Sequence, residues 1–243
     1  MENIQLGIHH LSYETVSSKS TLYDFIYPNM YKNYYWSDDF SPEYYIAQAK
    51  AGFIAITDCY EDKELLLPEI QFTYALLDFE DLHISKKVKK LLKRKDLKLE
   101  ISSSLDEVVD GISRIHRNNW LTPAYLDILK AAQGKDDNFH IVSAMIREGE
   151  EVVSGEIGYI IGRTYTSLSG FSKREKRYRN YGTAQLVLLA HYLQKHHFAF
   201  WNLGQSYMPY KLALGAKIYE RHSFLKRWYR ETEVAPIMTE NLL

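Results

Sequence analysis

A sheet flanked by helices, an α/β fold, is predicted by three features between Glu151 and Phe224. Two apolar stretches of strand length, Glu151 to Ile161 and Tyr165 to Ser172, are separated by a turn at Gly162-Arg163. A long apolar segment of helical length, Gly182 to His197, runs directly into a short apolar strand, Phe198 to Leu203. A helical Tyr207 to Leu214 then stops at Gly215, and the chain returns as a strand from Lys217. Strands that alternate with helices of these lengths form layered α/β structures.

The rest of the chain supplies elements with readable ends. Residues 1–36 are Tyr-rich and loop-like, and the His9-His10 pair has no third ligand at a useful spacing, so no metal site is expected. Asp39 to Phe53 reads as a helix: Ser41 can cap it, Pro42 suits its first turn and Gly52 its end. Phe53 to Thr57 reads as a strand. Leu65 to Leu67 is apolar, and Pro68 is expected to break that run. Tyr74 to Phe79 is a short buried strand. Ser85 can cap a helix whose apolar face is Val88, Leu91 and Leu92, and whose other face carries Lys86, Lys87, Lys89, Lys90, Lys93, Arg94 and Lys95. Such one-sided charge fits either a solvated face or a surface for a polyanion. Leu97 to Ile101 alternates as a strand. Ser104 to Glu107 has the form of a capping box, opening a helix with Val108, Ile112 and Ile115 inward. Thr122-Pro123 starts another helix, and Phe139 to Ile146 pairs with Glu151 to Ile161 as a hairpin. The expected boundary places a small N-terminal α+β domain at 1–78 and a larger domain at 79–243.

Composition bounds the function. With 243 residues, 46% hydrophobic and 25% charged, the chain is an ordinary globular one with ample core. A formal net charge of -1 excludes a global attraction to nucleic acid, so any such attraction belongs to local patches. These are the lysine helix and the basic loop Lys173 to Arg179. The single Cys59 excludes an internal disulfide and a Cys-based metal site, which suits a cytoplasmic protein. No apolar run is long enough to cross a bilayer, so no membrane partner is expected.

Several of these segments, in this order, resemble the leucyl/phenylalanyl-tRNA–protein transferase family, a branch of the GNAT-like acyltransferase fold. The matching residues are Asp39, Ser41, Pro42, Glu43, Gly52 and Phe53; then Glu80 to Ser85 with the lysines that follow; then Trp120, the paired strands ending in Phe171-Ser172, Gln205, Leu214 to Ala216, Arg221 and Phe224. The resemblance covers about Asp39 to Leu225 and implies a GNAT-like mixed sheet flanked by helices. It implies an aminoacyltransferase that moves a Leu- or Phe-like residue from aminoacyl-tRNA to the N-terminal amine of an acceptor protein, a modification that feeds protein degradation. Aminoacyl-tRNA is then a co-substrate, and no cofactor is needed.

Three departures fall in what resembles the aminoacyl pocket. The family's Trp-Trp-Ser-Pro-Asp-Pro-Arg segment is replaced by Pro68 to Tyr74, its Gly-Glu-Ser by Ser167-Leu168-Ser169, and its Asp before the Gln by Leu203, with Asn202 one position earlier. They point to an altered donor, or to an inactive relative that only binds tRNA or a protein N-terminus. Arg179, Gly182 and Ala184 also fit the R-x-x-G-x-A pattern by which GNAT enzymes bind acetyl-CoA, so an acetyl-CoA-dependent N-acyltransferase on the same fold is the alternative.

Both enzymatic readings have an amine attacking an activated acyl carbonyl. An α-amine with a pKa of about 7.7–8 is partly neutral at pH 7, so orientation and oxyanion stabilisation matter more than a strong base. Gln205, at a strand end, is the first candidate to hold the amine or polarise the ester; satisfying strand-end backbone is its structural alternative. Asn202 is a second candidate, and Tyr210 can donate to a leaving group. By resemblance, Trp120, Ser169, Gly170, Phe171 and Ser172 line the acyl pocket. Lys86, Lys87, Lys89 and Lys90, with Arg177, Arg179, Gly182 and Ala184, would hold the phosphates of tRNA or CoA.

Overall fold

The computed structural model describes residues 8–116 and 119–234. Its centre is a mixed sheet of seven strands: β5 (Thr73–Leu77), β6 (Leu99–Ser102), β7 (Phe139–Glu148), β8 (Glu151–Ile161), β9 (Thr164–Ser172), β10 (Phe200–Gln205) and β11 (Lys217–Glu220). Their order across the sheet is β11-β5-β10-β9-β8-β7-β6. All neighbours are antiparallel except β9 and β10. Those two are joined by helix α7 (Tyr181–Lys195), the kind of crossover that parallel neighbours need.

Helices cover both faces. On one, α5 (Asp106–Ile115), α6 (Pro123–Ala132) and α9 (Arg221–Thr232) pack with the N-terminal segments around Phe139, Ile157 and Trp228. On the other, α4 (Lys86–Leu91), α7 and α8 (Pro209–Leu214) pack around Val142, Tyr165 and Trp201. The central strand β8 is buried on both faces, which is why its sequence is apolar without alternation. The N-terminal part holds β1 (His9–His10) and β2 (Tyr35–Trp36), the short helices α1 (Tyr13–Ser17) and α2 (Lys19–Thr21) with a π turn at Leu22–Ile26, helix α3 (Pro42–Lys50), and the hairpin β3 (Ile54–Tyr60) and β4 (Lys63–Glu69). The boundary anticipated near residue 78 falls just after β5, which lies between β10 and β11; the large sheet therefore takes a strand from the first 78 residues.

Most caps follow the sequence. Ser41, Ser85 and Thr122 each accept a backbone N–H at the start of α3, α4 and α6. Ser104 does not: α5 starts one residue later, with Leu105 as an N-cap that makes no side-chain bond. Leu105 is buried in the core, and that packing sets the helix start. Nor does Pro68 end β4. Leu66 and Ile70 on either side donate to Ser37 and Asn33, and Pro68 occupies the intervening edge position where no N–H is needed. Finally, the segment after Lys217 is a strand of only four residues, followed by α9, which the sequence reading had not separated from it.

Candidate functional site

Strands β9 and β10 pair only through Thr164–Thr166 and Phe200–Asn202. Beyond this they part, and a cavity of about 700 Å³ opens between Ser167 to Ser172 on one side and Leu203 to Gln205 on the other. Two irregularities shape it. Opposite β8, the register shifts so that Leu168 faces no partner and lines the cavity. On β10, Asn202 Oδ1 accepts from the N–H of Gly204 at 2.9 Å, and Gly204 takes a φ of +73°, a left-handed turn suited to glycine. That turn presents Gln205 to the cavity.

Gln205 is held from two sides: its Nε2 lies 3.4 Å from Glu69 Oε2, and its Oε1 accepts from the Tyr207 hydroxyl at 2.5 Å. Trp120, Ser169, Gly170, Phe171 and Ser172 all line the cavity, as do Gly182 and Tyr210, the latter half-exposed at the rim. Ile54, Ile56, Ile115, Trp120, Leu168 and Phe171 make an apolar side. Two candidates lie elsewhere. Asn202 is buried, and its amide is committed to Gly204 and, at 3.4 Å, to Thr166; it shapes the turn before Gln205 and does not face the cavity. Ala184 is packed in the core on the inner face of α7, leaving Gly182 and Thr183 at the wall. Gly182 is also explained by packing, since a Cβ there would meet Ser172 Cβ at 3.1 Å.

The cationic residues lie on α4 and on the loop that precedes α7. Lys86, Lys87, Lys89 and Lys90 are exposed, and none is paired with a carboxylate among the described residues. At the end of the same segment, Arg94 donates to the Tyr181 hydroxyl at 2.5 Å and to Glu148 at 3.0 Å, fastening it to the start of α7. Arg177, in the basic loop, lies over the Tyr178 ring at 4.5 Å, and Tyr178 meets Tyr181 edge to face. The two clusters thus adjoin. Arg179 is exposed next to them, Lys173 is paired with Glu151, and Arg174 reaches the cavity wall.

The sequence reading missed the most polar part of the cavity. Glu156 of β8 and Lys211 of α8 both line it and are each only 4% exposed. Glu156 Oε1 accepts from the Tyr165 hydroxyl at 2.9 Å and from the Ser167 hydroxyl at 2.7 Å; Ser167 in turn accepts from Trp201 Nε1 at 2.8 Å. Burial pushes the Glu156 carboxyl up to about 7 against the lowering effect of these hydroxyls, of the nearby Gln185 amide and of Lys211. Burial likewise brings Lys211 down to about 8, opposed by Glu156. Its Nζ donates to the Gln205 carbonyl at 2.9 Å. Glu69 is a second buried carboxylate on the wall, held by Asn33 at 2.8 Å. A single Glu inside an apolar strand carries little signal on its own; only its burial beside Lys211 marks it.

A stability measurement follows from Glu156. Between the ordinary carboxyl pKa of 4.5 and about 7, the folded chain keeps a proton that the unfolded chain releases. The stabilisation is complete below 4.5 and is lost as pH rises through about 7. Glu156→Gln removes this loss, so urea denaturation is expected to show the variant gaining on wild type from pH 5 to 8, by on the order of 2–3 kcal/mol. A pH-independent difference would show that Glu156 titrates normally.

Comparison with known proteins adds an independent observation. Residues 76–229, more than half of the chain, match the family model described as leucyl/phenylalanyl-tRNA protein transferase. A leucyl/phenylalanyl-tRNA–protein transferase from Flavobacterium johnsoniae is 26% identical over 158 residues, covering 62% of this chain and 69% of that protein. Among solved structures, FemX is similar with a TM-score of 0.47 and 11% identity, covering 90% of this chain and 80% of its own. The C-terminal DUF2156 domain of an Agrobacterium fabrum protein is similar with a TM-score of 0.41 and 17% identity, covering 82% of this chain; this chain spans 61% of that one. At these scores the structural likenesses add nothing to the assignment. Among the described residues, no helix is long and apolar enough to cross a membrane.

Proposed function

Because the chain belongs to the leucyl/phenylalanyl-tRNA protein transferase family and is a transferase, we propose that it moves an aminoacyl group from aminoacyl-tRNA to the N-terminal amine of an acceptor protein. The observation that carries this reading is the cavity between the parted strands, with an apolar side, the Gln205 amide and Arg174 of the basic loop on its wall. The donor side chain sits against Trp120, Leu168 and Phe171, where burial contributes about 0.8 kcal/mol per methylene. The Gln205 amide polarises the ester carbonyl and meets the oxyanion that forms on it. Tyr210, at the rim, donates to the leaving ribose oxygen. The lysine face, with Arg177 and Arg179, holds the acceptor stem through its phosphates, contacts that position the tRNA without reading its sequence.

Transfer of labelled Leu or Phe from charged tRNA to a peptide with a free N-terminus tests the reading; binding of charged tRNA without any transfer would leave a binding protein. The acetyl-CoA alternative draws on Gly182 and Thr183, which bring the N-terminus of α7 to the cavity wall. Calorimetric titration with acetyl-CoA decides it: micromolar binding favours the CoA enzyme, and no heat removes it.

The tRNA interface has its own measurement. Replacing Lys86, Lys87, Lys89 and Lys90 together with Gln is expected to flatten the log–log dependence of tRNA affinity on salt. The slope should fall by about 3 to 3.5 if all four meet phosphates, at about 0.7–0.9 per contact. An unchanged slope would reduce that face to solvation.

A further inference from the structure

We infer that Glu156 is the proton acceptor for the attacking amine and that Lys211 keeps it ionised between turnovers. This rests on the acyl-transfer reading of the cavity. Three observations on the same wall carry it. The first is the arrangement of charge: a carboxylate from β8 and an ammonium from α8 are both nearly excluded from water and feel one another electrostatically, yet they form no ion pair among the described residues. Two buried charges left unpaired weaken a fold, so a purely structural pair would be expected to close. The second is the carboxylate itself. Both hydroxyl donors, Tyr165 and Ser167, fall on Oε1, which leaves Oε2 without a hydroxyl partner. The third is a set of unmet polar atoms: Gln185 Nε2, which approaches Glu156 without completing a hydrogen bond, and Gln71 Oε1 are buried without hydrogen-bond partners, and both residues line the cavity. A polar reactant in the cavity would meet them. A carboxylate displaced toward neutral pH suits a general base, and such displacement beside a charged partner in a cleft is typical of functional groups.

The step balances without an outside reagent. The neutral amine attacks the ester carbonyl, a C–N bond forms, and the carbonyl π pair moves to oxygen. The nitrogen, now an ammonium, gives a proton to Glu156 Oε2. The oxyanion re-forms the carbonyl, the bond to the ribose oxygen breaks, and that oxygen takes a proton from the Tyr210 hydroxyl, which recovers it from the Glu156 carboxyl. Amide and free hydroxyl leave, and Glu156 is again a carboxylate. Attack needs no base, but a protonated nitrogen is a better leaving group than the ribose oxygen, so removing its proton commits the intermediate to product. The charged and titratable groups that face Glu156 are Lys211 and Tyr210 from α8 and Tyr165 from β9.

Single-turnover transfer from Leu- or Phe-charged tRNA to one peptide, from pH 5.5 to 9, tests this with the full chain. Dividing the wild-type rate by the Glu156→Gln rate cancels the titration of the acceptor amine. The ratio is expected to rise through about pH 7 to about 100-fold. Lys211→Met is expected to move the inflection of the wild-type profile upward, which a merely structural lysine would not do. A ratio near one at all pH values overturns the proposal, while wild-type transfer intact preserves the reading of the cavity. If Glu156→Gln does not fold, the Lys211→Met profile decides, and an unmoved inflection overturns it. No transfer by wild type at any pH removes both the reading and the proposal.

Discussion

Arg221→Ala is expected to lose about 3–5 kcal/mol of stability in urea denaturation, enough to leave a marginal fold largely unfolded. Arg221 is fully buried, and no carboxylate pairs with it among the described residues. Its guanidinium instead donates to backbone carbonyls: Nε to Gln71 at 3.0 Å, Nη1 to Asn29 at 2.6 Å, and Nη2 to Ile70 at 2.7 Å and Lys32 at 3.0 Å, with longer contacts to Ile26 and Tyr27. It also lies over the Phe72 ring at 5.0 Å. Burial pushes its pKa down, opposed by Tyr74, Tyr35 and Glu69. One side chain thus fastens the N-terminal segment to the turn between β4 and β5, the stretch that carries Glu69 and Gln71 to the cavity. Removing it would leave these carbonyls buried and unpaired, each a loss of about 1–3 kcal/mol if water cannot reach it. Lysine is not expected to rescue the loss, because a single ammonium cannot span the fork of acceptors. Full stability of the lysine variant would show that charge alone suffices.

Gln205→Ala is expected to slow transfer by about 10²–10³-fold, the usual loss when one oxyanion donor is removed, while the affinity for charged tRNA stays nearly unchanged. The phosphate contacts proposed for α4 and the basic loop do not involve this amide. The Gln205 side chain is held by Glu69 and Tyr207, so its removal deletes a placed donor and leaves the Lys211 bond to the backbone carbonyl in place. Single-turnover rates, compared with equilibrium tRNA binding, separate the two effects. Unaltered turnover would remove Gln205 from the chemistry and leave it as a partner of Glu69 at the strand end.

The two predictions differ in how far the sequence pointed to them. Gln205 stands at the end of an apolar run, and its position before a helical turn was readable. Arg221 was noted as a basic residue after Leu214 to Ala216, but its acceptors lie on segments far earlier in the chain, and no local pattern reveals a cation paired with carbonyls. Asn202 is the converse: a polar residue near the strand end is a candidate by sequence, and in the fold its amide is spent on the turn that aims Gln205.

What the sequence alone determined here is local. The caps at Ser41, Ser85 and Thr122, the apolar lengths of β8, β9 and α7, and the one-sided charge of the lysine helix all depend on residues within a few positions of one another, where backbone hydrogen bonding and side-chain periodicity act. What only the tertiary structure decided is where β9 and β10 part, and which groups then face one another across the gap. Glu156 is hidden in a strand buried on both faces, and Lys211 in a helix of six residues; neither departs from what its element tolerates. Their shifted protonation arises from a shared dry space between separate elements, and only folding creates that space.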